Sequence, residues 1–324
     1  MSENDSLTAI SGVECGHWTD AGALTGCTVV ICRDGAVASV DVRGGAPASR
    51  ETDLLRPGTL VERVHAIVLA GGSAFGLDAA SGVMRWLAER EIGFPVTSGV
   101  VPIVPAACIY DLALATGPGR PTADSGYAAC ETASTDPVTS GSVGAGTGAS
   151  VGKALGIEHA LKGGLGSAAE RTASGVTVAA LVAVNCWGEV VDPDDGTILA
   201  GARGAKPGTF VPTLNILREH SPLSPFNQEN STIAVVATDA ALAKDQIQRL
   251  AVIAQTGLAR TIRPVHTPVD GDMVFALATG RTRAQADVLQ LGALAARALE
   301  RACLQAVREA ASLGGLPSVR DWRS

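Results

Sequence analysis

A serine at the junction between a polar loop and an apolar segment is the residue whose position most directly indicates chemistry. Ser231 follows the proline-containing loop 221–230 and begins an apolar run that continues to Thr238. An N-terminal nucleophile needs this arrangement, because the strand holds the hydroxyl and cleavage before Ser231 frees an α-amine as its base. Serine is also common where a loop enters a strand, so the segment alone fits an ordinary strand start as well.

Two carboxylates stand at the entrance of another apolar segment. Asp270 and Asp272 precede the run 273–278. Residues at i and i+2 of a strand share a face, so the two side chains should lie close together. Like charges at this distance raise one pKa unless a cation or hydroxyl donors share the site, which makes the pair a candidate acid/base element. A turn with two solvated acids explains the spacing equally well.

A glycine-rich segment, 141–152, leads into Lys153. The segment fails the phosphate-loop pattern, because Thr147 replaces the first required glycine and Ala154 replaces the residue that holds magnesium. Its glycines would still let the backbone approach a ligand closely, with Lys153 at the end of the segment. From these residues alone, a solvated surface lysine is the simpler interpretation of Lys153.

The composition excludes several classes of function. The 324 residues carry a net charge of −7 and no basic cluster, which argues against a nucleic-acid partner. The seven cysteines form no C-x-x-C pair, and the five histidines lack ligand spacing, so the sequence predicts a reducing compartment and neither metal nor cofactor. No apolar run approaches the ~20 residues of a membrane helix, and the acidic N-terminus does not resemble a signal peptide. We therefore expect a cytoplasmic protein without membrane association.

Strand and helix patterns are intermixed along the chain, which predicts a mixed α/β fold in one domain. Two of the predicted strands, 28–32 and 36–42, should form a hairpin through Asp34 and Gly35. A helix is expected to begin at Asp239 as its N-cap. The other expected elements are strands at 64–70 and 176–184, and helices at 77–91, within 210–218, and over about 282–313, the last either continuous or broken at Gly292.

Several blocks of the sequence, in order, resemble the DmpA-like L-aminopeptidase/D-esterase family, peptidase family S58. That family includes β-aminopeptidases and endo-acting hydrolases of nylon (6-aminohexanoate) oligomers. The resemblance covers nearly the whole chain and lies in the blocks 16–20, 41–47, 71–78, 101–107, 144–148, 162–166 and 230–233. It implies an αββα sandwich, in which two β-layers are enclosed by helices, and a homo-oligomer of four or more subunits.

The resemblance also implies a self-processing precursor, since members of this family cut themselves before a Ser or Thr. The bond would be Asn230–Ser231, dividing the single domain 1–324 into fragments 1–230 and 231–324, with Ser231 as the nucleophile. Matching motifs assigns the remaining active groups to Tyr110, Lys153, Asn185, Asp270 and Asp272. Lys162 is an alternative to Lys153 for the active-site lysine, because it precedes another glycine-rich block typical of the family.

The roles implied by the resemblance are those of an acyl-enzyme mechanism. The α-amine of Ser231, oriented by the two aspartates, would accept the proton, and Asn185 with a backbone amide would stabilise the oxyanion. Lys153 would keep the field around Ser231 positive. Tyr110 would donate a proton or bind the amino end of the substrate.

The substrate class stays open between two branches of the family. The Asp-x-Asp pair resembles the nylon-oligomer branch, whereas the aminopeptidase branch has Ser-x-Glu, yet the nylon-oligomer branch uses Thr where this chain has Ser231. The expected activity is therefore hydrolysis of amide bonds in short peptides or polyamide oligomers. The alternatives are an acyltransferase resembling ornithine acetyltransferases, and an uncleaved relative that is not catalytic.

Overall fold

In this computed structural model, residues 4–115, 117–219 and 230–324 are described. Segment 221–229, the loop expected before the nucleophile, lies outside them. The helices are α1 (Ala79–Ala88), α2 (Ala123–Glu131), α3 (Thr213–Glu219), α4 (Lys244–Thr261), α5 (Val288–Arg308) and α6 (Val319–Arg323). The strands are β1 (Glu14–Asp20), β2 (Thr25–Val42), β3 (Ala48–Arg50), β4 (Arg63–Ala70), β5 (Phe94–Val96), β6 (Gly99–Val101), β7 (Ala106–Cys108), β8 (Ser150–Val151), β9 (Leu161–Lys162), β10 (Gly164–Arg171), β11 (Thr177–Asn185), β12 (Glu189–Val191), β13 (Ile198–Ala200), β14 (Ala202–Arg203), β15 (Phe210–Val211), β16 (Ser231–Thr238), β17 (Ile262–Arg263) and β18 (Met273–Ala278).

Nine of these strands form one mixed sheet in the order β10-β11-β16-β18-β2-β4-β7-β3, with β1 paired to β2. The strand that begins at Ser231, β16, lies inside this sheet between β11, which is antiparallel to it, and β18, which is parallel. Smaller sheets are formed by β13-β12-β17, β14-β15, β5-β6 and β8-β9.

The prediction of a hairpin around Asp34 and Gly35 is wrong, because both predicted strands belong to the single long strand β2. The strand keeps long-range partners on both sides of this point: β4 pairs with residues 27–31 and again with 36–37, and β18 pairs with residues 37–42. The register with β4 shifts between Ile31 and Ala36, and Gly35 takes a φ of +73° there. A bulge therefore occupies the place where local turn chemistry predicted a reversal.

Alternate side chains of β2 enter three separate cores, which defines the layers of the fold. Val29 packs against α1 and α2, whereas Val30 faces the opposite half of the sheet. Beyond the bulge, Ala38 continues in that central core and Val37 lies on the side covered by α4 and α5. The two halves of the sheet thus enclose one core and each carries helices outside, so the expected αββα sandwich is confirmed.

The structure corrects one helix prediction and decides an alternative that the sequence left open. Asp239 is not the N-cap of α4, which begins at Lys244; its carboxylate instead accepts a hydrogen bond from the Thr177 backbone amide at 3.0 Å. Gly292 does not break α5, which runs without interruption from Val288 to Arg308. A Cβ at this position would lie 2.7 Å from the Ile253 side chain of α4, so glycine allows the two helices to pack closely. Among the described residues, no helix combines the length and apolarity needed to cross a bilayer.

Candidate active site

The bond expected to be cut lies where β16 begins, beside β11 and β18. Ser231 is 4% exposed, and its Cα pairs with that of Asn185 at the end of β11. With the Asn230–Ser231 bond intact, the Ser231 Oγ donates a hydrogen bond to the Asn230 carbonyl oxygen at 2.5 Å. The backbone amide of Gly271 donates to the same oxygen at 2.9 Å. The Ser231 hydroxyl and a backbone amide therefore both donate to the oxygen of the carbonyl group at the expected cleavage point.

Gly271 also makes room for the Ser231 hydroxyl. A Cβ at this position would lie 2.5 Å from Ser231 Oγ and 2.8 Å from the Ala46 carbonyl oxygen. Both distances are shorter than van der Waals contact, so a larger residue would displace the hydroxyl or the backbone. The glycine between the two aspartates is thus a steric requirement of the site.

Asp272, directly before β18, anchors the start of β16. Its Oδ1 accepts a hydrogen bond from the Thr232 amide at 2.7 Å, and its Oδ2 accepts two from His266, the backbone amide at 2.9 Å and Nδ1 at 3.1 Å. The imidazole Nδ1 acts as a donor here because an ionised carboxylate can only accept. Asp272 is 1% exposed, so the pair is not a solvated turn.

Asp270 is also buried, and its protonation is sensitive to the surroundings. Its Oδ2 accepts hydrogen bonds from the Thr267 amide at 3.0 Å and from Thr267 Oγ1 at 2.5 Å. Burial and the charge of Asp272 raise the pKa of Asp270 to about 6, against the opposing effects of Thr267 and Lys153. The expected coupling of the two aspartates therefore brings the pKa of one carboxyl group, that of Asp270, close to neutral pH.

Asn185 connects two other expected site residues, Lys153 and Tyr110. Its Oδ1 accepts hydrogen bonds from Lys153 Nζ at 2.8 Å and from the Ser150 amide at 3.0 Å. With the oxygen fixed in this way, Nδ2 faces the other side and donates to the Tyr110 carbonyl oxygen at 2.9 Å. Tyr110 follows β7, so this bond joins the two halves of the sheet beside Ser231.

Lys153 lies in a short 3₁₀ helix after the glycine-rich segment, and its ammonium group turns back towards β11. Besides the Asn185 side chain, Nζ donates to the Ser150 and Asn185 carbonyl oxygens at 3.2 and 3.3 Å. Burial lowers the pKa of Lys153 to about 8, and the nearby negative charges, among them Asp270, oppose this shift. The lysine is therefore a partly buried cation whose ammonium group is bound at Asn185, and not a fully solvated surface group.

Lys162 occupies a different place. It is 1% exposed, and its Nζ donates to the Thr147 and Ala149 carbonyl oxygens at 2.8 and 2.6 Å. Burial lowers its pKa to about 7, and the charge of Asp111 opposes the shift. Lys162 thus holds the glycine-rich segment in shape, whereas Lys153 contacts the residue that pairs with Ser231.

Four residues that contact the site were not found from the sequence: Ser150, His266, Thr267 and Gly271. His266 was counted only as one of five scattered histidines without ligand spacing. The available signal was a polar pair, His266 and Thr267, between Pro264 and Pro268 and a few residues before the two aspartates. Turn-forming residues of this kind bring side chains back onto the strand that follows.

Comparison with known proteins places the chain in a family. The sequence model of peptidase family S58 matches residues 5–319. An uncharacterized aminopeptidase of Mycobacterium tuberculosis is 46% identical over 345 aligned residues, covering 98% of this chain and 97% of the relative. A 6-aminohexanoate-oligomer endohydrolase of Paenarthrobacter ureafaciens is 31% identical over 299, covering 87% and 80%. The chain therefore belongs to peptidase family S58 and is an amide-bond hydrolase.

Two solved structures share the fold. The L-aminopeptidase D-Ala-esterase/amidase of Ochrobactrum anthropi, described as a variant of the Ntn hydrolase fold, superposes with a TM-score of 0.70 at 22% identity, covering 95% of this chain and 86% of that one. A β-aminopeptidase of Burkholderia sp. gives 0.67 at 24% identity, covering 99% and 92%. At these identities the likeness is one of architecture, and it agrees with the αββα layers.

Proposed function

We propose that this chain is a self-processing N-terminal-nucleophile amidohydrolase that cleaves its own Asn230–Ser231 bond and then uses Ser231 on short peptides or polyamide oligomers. The observation that carries the proposal is the convergence of Ser231 Oγ and the Gly271 amide on the Asn230 carbonyl oxygen. The 46% identical aminopeptidase and the 31% identical 6-aminohexanoate-oligomer endohydrolase support the two substrate classes.

Self-cleavage begins with addition of Ser231 Oγ to the Asn230 carbonyl carbon. The carbonyl oxygen becomes an oxyanion, for which the Gly271 amide is a fixed donor at 2.9 Å. The carbon–nitrogen bond then breaks, the Ser231 nitrogen takes the hydroxyl proton, and the acyl group stays on Oγ as an ester. Water hydrolyses this ester, which leaves a carboxylate at residue 230 and a free amine and hydroxyl on Ser231.

Turnover repeats the acyl transfer on an external amide. The new α-amine accepts the Ser231 hydroxyl proton, the leaving amine takes it up, and water releases the acyl group as a free acid. One hydrogen of Asn185 Nδ2 bonds to the Tyr110 carbonyl, and the second is assigned to the substrate oxyanion. Lys153 stabilises negative charge beside Ser231, and the Tyr110 side chain binds the amino end of the substrate.

The charge on Lys153 gives a pH prediction. Because the pKa of Lys153 is lowered to about 8, the ammonium group loses its proton above that pH and kcat should fall on the alkaline side. Arginine stays charged throughout, so Lys153→Arg should move this limb upwards by about one pH unit or more, at a lower maximal rate. The matched control is Lys162→Arg, since Lys162 binds the glycine-rich segment. An alkaline limb that moves in Lys162→Arg and stays in Lys153→Arg would reverse the two assignments.

Product analysis tests the proposed activity. The purified protein would be offered an L-aminoacyl anilide, a β-aminoacyl anilide and a 6-aminohexanoate oligomer, with and without an added amine acceptor. We expect free acid as the main product from at least one class. Predominant transfer to the acceptor would identify an acyltransferase, and no turnover by an uncut chain would identify a non-catalytic relative.

We further infer a cytoplasmic homo-oligomer of four or more subunits. All seven cysteines are free and buried, which supports a reducing compartment. Light scattering on the purified protein would measure the subunit number, and a monomer would contradict the inference.

A further inference from the structure

Two consecutive residues each hold one of the active-site aspartates. His266 donates its backbone amide and Nδ1 to Asp272 Oδ2, at 2.9 and 3.1 Å. Thr267 donates its backbone amide and Oγ1 to Asp270 Oδ2, at 3.0 and 2.5 Å. Each carboxylate is therefore bound through the same oxygen by one backbone donor and one side-chain donor. We call this arrangement, His266 and Thr267 on Asp272 and Asp270, the carboxylate clamp.

The second oxygen, Oδ1, has different hydrogen-bond partners in the two carboxylates. Asp272 Oδ1 accepts a hydrogen bond from the Thr232 amide at 2.7 Å, so three hydrogen bonds immobilise this side chain. The hydrogen bonds described for Asp270 fall on Oδ2. Asp270 also lies beside the cut bond, since its backbone forms a bridge with Asn230.

We propose that His266 and Thr267 are positioning residues for the acid/base step: they fix Asp272 as the anchor of the nucleophile strand and orient Asp270 Oδ1 towards the α-amine of Ser231. This inference rests on the proposed function, since that amine exists only after cleavage before Ser231. In this arrangement Asp270 must be ionised to hold the amine, whereas Asp272 acts through the Thr232 backbone.

The charged groups that face Asp270 come from three segments. Asp272 opposes its ionisation, and Lys153, from the 3₁₀ helix after the glycine-rich segment, favours it. The imidazole of His266 contacts Asp272 Oδ2 through Nδ1. The Thr267 hydroxyl stabilises the Asp270 carboxylate, and its removal raises a pKa that already stands at about 6.

Thr267→Val tests the threonine half of the clamp, because valine keeps the shape and the backbone donor but lacks the hydroxyl. Asp270 is active when ionised, so a higher pKa moves the acid limb of the kcat profile to higher pH. We expect a shift of about one pH unit, the size of one lost hydrogen bond to a charged acceptor. Thr267→Ser restores the hydroxyl and should return the limb to its wild-type position. A limb that does not move in Thr267→Val would overturn this half of the inference.

The histidine half needs variants that suit its backbone. His266 has a φ of +58°, which glycine and asparagine tolerate better than alanine, so His266→Gly and His266→Asn separate the ring from backbone strain. In His266→Gly we expect kcat to fall about tenfold or more with little change in KM. Asparagine retains a side-chain N–H donor and should recover most of the rate. Equal kcat in both variants and the wild type, with only Tm lowered, would make His266 merely structural.

The failures of the two proposals are distinguishable. An uncut, inactive wild-type chain would overturn the proposed function and this inference with it. A wild-type chain that is cut and active, with an acid limb unmoved in Thr267→Val and kcat unchanged in His266→Gly, would overturn the carboxylate clamp alone.

Discussion

Replacement of Ser231 by alanine should leave one uncut chain and lower amide hydrolysis by at least about 10⁴-fold, the scale of nucleophile removal in other acyl-transfer enzymes. The hydroxyl is the atom in contact with the Asn230 carbonyl oxygen, so both self-cleavage and turnover lose their attacking group. A denaturing gel measures the first effect, and release of free acid under saturating substrate measures the second.

Ser167→Ala is a matched control for this variant. Ser167 is a buried serine of the same sheet, and its Oγ donates to the Ala180 carbonyl and accepts from the Leu7 amide, both at 2.8 Å. Its loss should reduce stability by roughly 1–3 kcal/mol, through the unpaired amide, and leave cleavage intact. If Ser231→Ala still separated into two fragments, Ser231 would not be the nucleophile of self-cleavage.

Replacement of Asp272 by asparagine should lower kcat by roughly 10²–10³-fold, equivalent to a few kcal/mol of lost hydrogen bonding to a buried charge. Three donors face the two oxygens of Asp272: the Thr232 amide and two groups of His266. An asparagine presents one oxygen and one NH₂ group, so at least one donor meets another donor. The start of β16 then loses its anchor, and turnover should suffer more than substrate binding.

The measurement is a comparison of kcat and KM, with Asp239→Asn as its control. Asp239 is also buried, but its Oδ1 accepts the Thr177 amide, and an asparagine oxygen can accept the same bond. Asp239→Asn should therefore keep wild-type kinetics. An Asp272→Asn enzyme with unchanged kcat and a raised KM would instead assign Asp272 to substrate binding.

The elements that carry the site were predictable because their signals are local. The apolar runs after Ser231 and after Asp272 predict strands, and β16 and β18 begin at or directly after those residues. The hairpin within β2 was wrong because Asp34 and Gly35 give a strong local turn signal, whereas the strand is kept continuous by distant partners. Strand pairing with β4 and β18 outweighs a two-residue turn preference.

The choice of lysine and the carboxylate clamp depend on tertiary contacts. Lys153 and Lys162 both adjoin glycine-rich segments only nine positions apart, so their surroundings in sequence are alike. Only the folded chain shows that one contacts Asn185 and the other the Thr147 carbonyl. His266 carries no recognisable motif either, because only the folded turn between residues 266 and 272 brings its ring to Asp272.

The most direct test of self-cleavage is the N-terminal sequence and intact mass of the purified, incubated chain. Cleavage of the Asn230–Ser231 bond should give two polypeptides, one of which begins at Ser231, with masses that add up to the 32.7 kDa chain plus one water. A single polypeptide of full mass, or a new N-terminus at any residue other than Ser231, would contradict it.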